Sequence, residues 1–289
     1  MNYLKLFLTF YFSVFTLVCH GEIASDTSQQ SPLEENSLED YWENNIKNIY
    51  FSGKDIIVDS NQDIIKLEAP YRAEDPAIVP ISIQTMVATN ESFDIIKIHV
   101  FIDKNPSPLV GVFKFSELKS KADLSMRVRV NEFTYIRAIA ETSDGKFYMT
   151  KKFVKASGGC SAPPPPSAAN AKLLGKMRTR IMGRLALSKP NLVQFKIKHP
   201  NYSGLEMVAP GSEKTKQNFI KNIKVSLNDK TVLDADLTFS ISTDPSFRFY
   251  ITPEKEGTLE IEATDTANNI FTHSHVVDHN NVSIAIPLN

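Results

Sequence analysis

Cysteine is almost missing from this chain, with only Cys19 and Cys160 among 289 residues. A disulfide framework is excluded at once. Glycine is scarce, at 11 residues, and there is a single tryptophan, Trp42. Neither sign of charge prevails: the formal net charge is −1, so composition gives no case for a nucleic-acid partner. Catalytic signatures are lacking too. There is no HExxH, no CxxC, no Gly-rich phosphate loop and no GxSxG. What remains is 42% hydrophobic and 22% charged, enough to bury the core of two ordinary domains or one large one.

The apolar run from Leu6 to Val18 follows a single basic residue, Lys5. It is too short for a membrane span and fits the apolar region of a secretory signal. Residues 1–21 are therefore expected to be a signal peptide, directing the chain to a periplasm or the exterior. Leu17-Val18-Cys19 loosely resembles a lipoprotein cleavage box, but Val18 is bulky where a small residue is wanted. Cleavage removes Cys19 and leaves Cys160 as the only thiol, which suggests pairing between molecules or a thiol kept for chemistry.

Residues 22–36 are polar and acidic and read as a flexible leader. Leu38, Trp42, Ile46 and Ile49 recur at helical spacing behind Ser37, predicting a short amphipathic helix over Leu38–Ile49. Alternation then takes over. Val79–Ile83, Ile96–Ile102, Val110–Val112, Leu124–Val130 and Tyr135–Ala140 read as strands, with a turn at Lys104–Pro108 and a hairpin at Asp144-Gly145 returning through Phe147 to Val154. In Leu124–Val130 the apolar residues alternate with Ser125, Arg127 and Arg129. A second block follows from Val193–Ile197, Ile223–Leu227 with a turn at Asn228-Asp229, Phe247–Ile251 and Leu259–Ala263. Short strands without intervening helices predict an all-β fold of two immunoglobulin-like antiparallel β-sandwich domains. The expected division is 37–156, with the helix in front, and 173–289, joined by an arm and Pro-rich linker over 157–172.

That arm, Val154-Lys155-Ala156-Ser157-Gly158-Gly159-Cys160-Ser161-Ala162 and then Pro163 to Pro166, is the centre of interest. Gly158 and Gly159 give the backbone freedom, and four prolines favour an extended segment. Cys160 then reads as a thiol held out in solvent, within roughly 15 Å of Val154 and with an unshifted pKa of about 8.5. A flexible arm suits presentation of an attached group, not catalysis, which needs fixed geometry. No catalytic residue and no cofactor are assigned. The bland alternative is a linker that happens to hold a cysteine.

The histidines are read as structural. His99 falls on the polar face of a strand as a solvated side chain, and His199 in a loop that could border a binding surface. His273, His275 and His279 cluster near the end, where an exposed terminal strand is the better account than a metal site.

Leu67-Glu68-Ala69-Pro70, Ala73-Glu74-Asp75, Val79-Pro80-Ile81, Asp103 to Leu109, and Lys155 with Gly158-Gly159-Cys160 resemble SoxY, the sulfur-carrying subunit of bacterial sulfur oxidation. His199-Pro200, Asp244 to Phe247 and Glu256 to Leu259 resemble its partner SoxZ. The fused order is similar to the SoxYZ-like carriers associated with quinoprotein dehydrogenases. The resemblance implies an internal heterodimer of sandwiches in which Cys160 holds a persulfide or S-thiosulfonate on an arm of Gly158 and Gly159, without itself being an enzyme. It also implies a periplasmic location and redox partners: a Sox-type cytochrome or hydrolase, or a quinoprotein dehydrogenase with its cytochrome c. The SoxY arm ends the chain soon after its cysteine, whereas here the prolines tether it on both sides. A Cys160-linked dimer is chemically allowed. The competing reading is a non-enzymatic binding or assembly module for a periplasmic quinoprotein (PQQ) alcohol dehydrogenase system.

Overall fold

Fifteen β-strands in two stacked sheets supply most of the regular structure in the computed structural model, which describes residues 32–86, 93–115, 121–165, 170–207, 209 and 211–279. The expected signal peptide, with Cys19, lies outside the described residues, as does the leader up to residue 31.

In chain order the strands are β1 (Ile56–Val58), β2 (Ile65–Glu68), β3 (Val79–Thr85), β4 (Ile95–Ile102), β5 (Leu109–Phe115), β6 (Leu124–Val128), β7 (Thr134–Thr142) and β8 (Phe147–Val154). The second half supplies β9 (Met177–Ile181), β10 (Asn191–Ile197), β11 (Ile220–Leu227), β12 (Lys230–Leu237), β13 (Ser246–Ile251), β14 (Gly257–Asp265) and β15 (Ile270–Val277). Alternation does what period two requires: Val79, Ile81 and Ile83 are buried while Pro80 and Ser82 face out. The hairpin turns are where they were expected. Gly145 has φ +84° between β7 and β8, and Asn228 and Asp229 have φ +48° and +67° between β11 and β12, the left-handed pair of a tight hairpin.

The two immunoglobulin-like halves do not stand apart. One sheet has nine strands in the order β1-β8-β7-β4-β5-β12-β11-β14-β15, and the other six, β2-β3-β6-β13-β10-β9. Each sheet therefore crosses from one half to the other, at β5–β12 (Phe115 opposite Leu233 to Gly111 opposite Leu237) and at β6–β13 (Met126 opposite Phe247). One apolar core runs through both halves from Ile65 to Val277.

The helix is longer than its periodicity suggested. α1 (Pro32–Trp42) starts five residues before Ser37, then passes through a π-helical turn, Glu43–Lys47, into Asn48–Tyr50. An ion pair with the sheet that no local pattern shows holds the extra turn, Lys151 reaching Glu35 at 3.3 Å, and one turn on Glu39 Oε1 lies 3.1 Å from Arg137. Trp42 and Ile46 pack on Phe51, Phe101, Ile139, Phe147 and Met149, so β7 is buried on both faces. Arg137, wholly buried, donates from Nε to Asp103 at 2.9 and 3.1 Å and lies 4.6 Å from the Trp42 ring centroid.

Candidate functional site

After β8 the chain is held by its neighbours instead of swinging free. Lys155 N–H donates to Tyr71 O (2.7 Å), and Lys155 O accepts from Ala73 N–H (3.1 Å). Gly158 N–H donates to Asn131 O (2.8 Å) and Gly159 N–H to Val130 O (3.0 Å). The two glycines have separate jobs. Gly158 has φ +81°, a turn conformation that side chains resist, with open space where a Cβ would point. Gly159 has an ordinary φ, but a Cβ there would stand 2.1 Å from Pro76 O and 2.6 Å from Val130 O.

Cys160 consequently sits at 0% exposure, against the sequence expectation of a thiol in solvent. Its backbone O accepts from Ser203 Oγ (2.6 Å), so the second half grips the arm directly. The proline run emerges beyond it, with Pro163 and Pro165 exposed.

Beneath the arm lies Arg129, 1% exposed, which alternation had put on the polar face beside Arg127. Alternation stops at the end of β6, where Val128 bridges to Ile241 and Arg129 N–H donates to Ser240 O (2.7 Å). The guanidinium then reaches both sides of the junction. Nη1 donates to Gly159 O (3.4 Å) and Ala162 O (3.3 Å), and Nη2 to Asn201 O and Thr243 Oγ1 (both 3.0 Å). Glu206, also 0% exposed, lies 3.3 Å from Nη1. Burial raises the Glu206 pKa, but donation from Ser203 N–H (2.8 Å) and Thr215 Oγ1 (2.8 Å) with the Arg129 charge holds the carboxyl below its usual range.

Burial pushes the Cys160 thiol up to about 12, while Arg129 pulls it down and Glu206 pushes it up. Burial is the largest of the three influences, so the thiol stays protonated near neutral pH. Among the described residues no group hydrogen-bonds its Sγ.

Residues around the socket complete it, and two histidines are placed differently from expectation. Asn105, inside the Asp103–Pro108 turn, donates to Arg129 O (2.8 Å) and Ser240 Oγ (3.0 Å) and accepts from Asn131 N–H (2.9 Å), fixing the segment that receives the glycines. His199 does not border a surface: it is fully buried, and its Nδ1 accepts from Asn201 N–H (3.0 Å) while Nε2 faces Asp265 at 3.5 Å. It shapes the loop that carries Ser203 and Glu206. His99 is not solvated either, but half-buried, 3.2 Å from Glu141 and edge-on to Phe51. His273 and His275 share one face of β15. Among the described residues no three histidine, cysteine or acidic side chains gather as a metal site.

Sequence reasoning missed Arg129 and Glu206 as site residues. Their pairing crosses from one half of the chain to the other, and neither sits in a motif.

Residues 49–160 match the family of the sulfur oxidation protein SoxY, and residues 182–276 that of the sulphur oxidation protein SoxZ. The chain belongs to the SoxYZ family, with the two proteins fused in that order. SoxYZ proteins are carriers in sulfur oxidation rather than catalysts, and the family works with redox enzymes. The SoxY match ends at Cys160, so the docked cysteine closes the SoxY half and the Arg129–Glu206 pair joins it to the SoxZ half.

No curated protein matches the chain. Among solved structures, a superoxide reductase (neelaredoxin) from Ignicoccus hospitalis is 15% identical over 35% of this chain and 94% of its own, with TM-score 0.31. A β-glycosidase from Bacteroides vulgatus is 8% identical over 74% of this chain and 24% of its own, with TM-score 0.23. Among the described residues no helix is long and apolar enough to cross a membrane.

Proposed function

We propose that Cys160 carries a sulfur intermediate covalently, as a persulfide or S-thiosulfonate, and that the docked arm is its protected resting state in the periplasm. The observation that carries this reading is the position of Cys160: the last residue of the SoxY match, seated in a socket built by both halves. Loading requires the arm to leave that socket. In the S-thiosulfonate case the Cys160 thiolate and the outer sulfur of thiosulfate form an S–S bond. The thiol proton goes to solvent, and two electrons pass to a partner redox enzyme such as a c-type cytochrome. The arm is tethered at both ends, so it enters a partner as a loop and favours a wide active-site mouth.

A second reading, an assembly module for a periplasmic quinoprotein alcohol dehydrogenase, is favoured by one observation: a buried, protonated thiol is chemically inert. Intact mass of protein purified without reductant separates them. The carrier reading expects sulfur or thiosulfate adducts confined to Cys160. An unmodified thiol, with full alcohol-dehydrogenase activity in a Cys160→Ala strain, would overturn it in favour of the module.

A further inference from the structure

The outer face of the six-stranded sheet has a charge the whole molecule does not. Arg178 and Arg180 on β9, Lys196 on β10, Arg248 on β13 and Arg127 on β6 all take outward positions, alternating with inward-facing residues. Register aligns them in transverse rows. Arg180 lies opposite Gln194, Gln194 opposite Arg248, Arg248 opposite Ser125, and Ser125 opposite Ser82. In the next row Arg178 lies opposite Lys196, Lys196 opposite Ser246, and Arg127 opposite Pro80. Four adjacent strands put these cations across roughly 15 Å.

None of the five makes an ion pair among the described residues. The bordering acids are already taken: Asp244 pairs with Lys198, Glu68 with Lys66 and Asp123 with Lys121. The cations are close enough to oppose one another, since burial and then Arg127, Arg248, Arg180 and Lys198 depress the Lys196 pKa. Five cations side by side, none ion-paired among the described residues, repel one another.

From this face we infer a docking surface for an acidic face of a protein partner. The patch is too broad for one small oxyanion to bridge. A net charge of −1 gives the molecule no long-range pull on nucleic acid, whereas a local patch suits a local match. A groove of about 630 Å³ is lined by Arg127, Lys196 and Arg248 with one acid, Glu68, and its Pro70, Pro80 and Met126 offer apolar contact that a protein partner can use. The patch also leads to the cysteine: Arg127 is two residues from Arg129, and its Nη2 donates to Asp244 O (3.1 Å). A partner seated here lies along the strand that supports the docked arm. This link to the cysteine rests on the carrier reading, whereas the cationic face stands without it.

The test uses the full chain and a fluorescent acidic–apolar peptide of repeating Glu-Leu-Asp-Glu, with a basic counterpart of repeating Lys-Leu-Arg-Lys, a DNA duplex and phosphatidylglycerol vesicles. The expected result is binding of the acidic peptide that weakens about tenfold from low to high salt. Arg127→Glu/Lys196→Glu/Arg248→Glu should lose at least about tenfold in affinity and gain the basic peptide. Arg178→Glu/Arg180→Glu on the edge strand supplies a second variant if the triple one fails to fold. Unchanged binding in both variants overturns the inference, and so does a preference for duplex or vesicles at equal salt. Adduct mass on Cys160, read in the same proteins, reports on the carrier reading separately, so either idea can fall without the other.

Discussion

At the scale of single residues, the socket is selective about which glycine it needs. A methyl group on Gly158 meets open space and costs only the strain of φ +81°, about 1–2 kcal/mol. A methyl group on Gly159 collides with two backbone oxygens that have no room to yield. Gly159→Ala is therefore expected to undock the arm and raise the rate of Cys160 alkylation near neutral pH by about tenfold or more, with Gly158→Ala well below that. The pH profiles should also part. In the wild type alkylation stays slow through the ordinary thiol range, because the docked thiol titrates only at about 12; in Gly159→Ala it follows an ordinary thiol. The sign extends to stability. A thiol whose folded pKa is raised contributes fully below its unfolded value, and that contribution is lost as pH climbs from there toward about 12. Equal alkylation rates for the two variants would mean that the socket does not govern the thiol. Such a socket was beyond reach of the sequence. Gly-Gly-Cys-Ser followed by prolines reads locally as a free arm, and its contacts with Ser203 and Arg129 come from segments 43 and 30 residues away.

At the scale of elements, the helix shows how much a periodic pattern carries and what it omits. Leu38, Trp42 and Ile46 are buried as their spacing required, whereas Ile49 is 72% exposed because the π turn rotates it away from the sheet. Of the anchoring charges, Glu39 falls inside the expected helix but Glu35 in what reads as a leader, since acidic residues carry no periodic signal until Arg137 and Lys151 are placed beside them. Strands β9 and β12 were missed for a related reason. Met177–Ile181 is a short, charged edge strand, and β12 carries Lys230, Asp234 and Asp236 on its outer positions. Trp42 makes the helix testable. It is fully packed, but its Nε1 has no hydrogen-bond partner among the described residues. Trp42→Ala should lower unfolding stability by about 3–5 kcal/mol in urea. Trp42→Phe should lose less than half of that, because it keeps most of the ring and removes an unsatisfied donor. Equal losses would show that the helix is held by its ion pairs and not by the ring.

For the whole molecule, the consequence of two shared sheets is cooperativity. The sequence presented two blocks of alternating strands separated by prolines, and each block does form an immunoglobulin-like half. Period two reports which face of a strand is buried, but not which strand lies beside it, so the seams at β5–β12 and β6–β13 had no sequence signal. Splitting the halves would expose the edge backbone of four strands, the Phe113–Phe247 contact and the fully buried Arg129–Glu206 pair. Neither half should therefore survive the loss of the other. Trp42 sits entirely in the first half, so its fluorescence reports that half alone, while far-UV circular dichroism reports strands of both. The two signals should follow one urea transition with a common midpoint. Replacing Pro163–Pro166 with a protease site and cutting there should leave the two fragments associated. A circular-dichroism transition that precedes loss of the tryptophan signal would mean that the SoxZ half unfolds by itself, and that the docked cysteine rests on a partner that can leave.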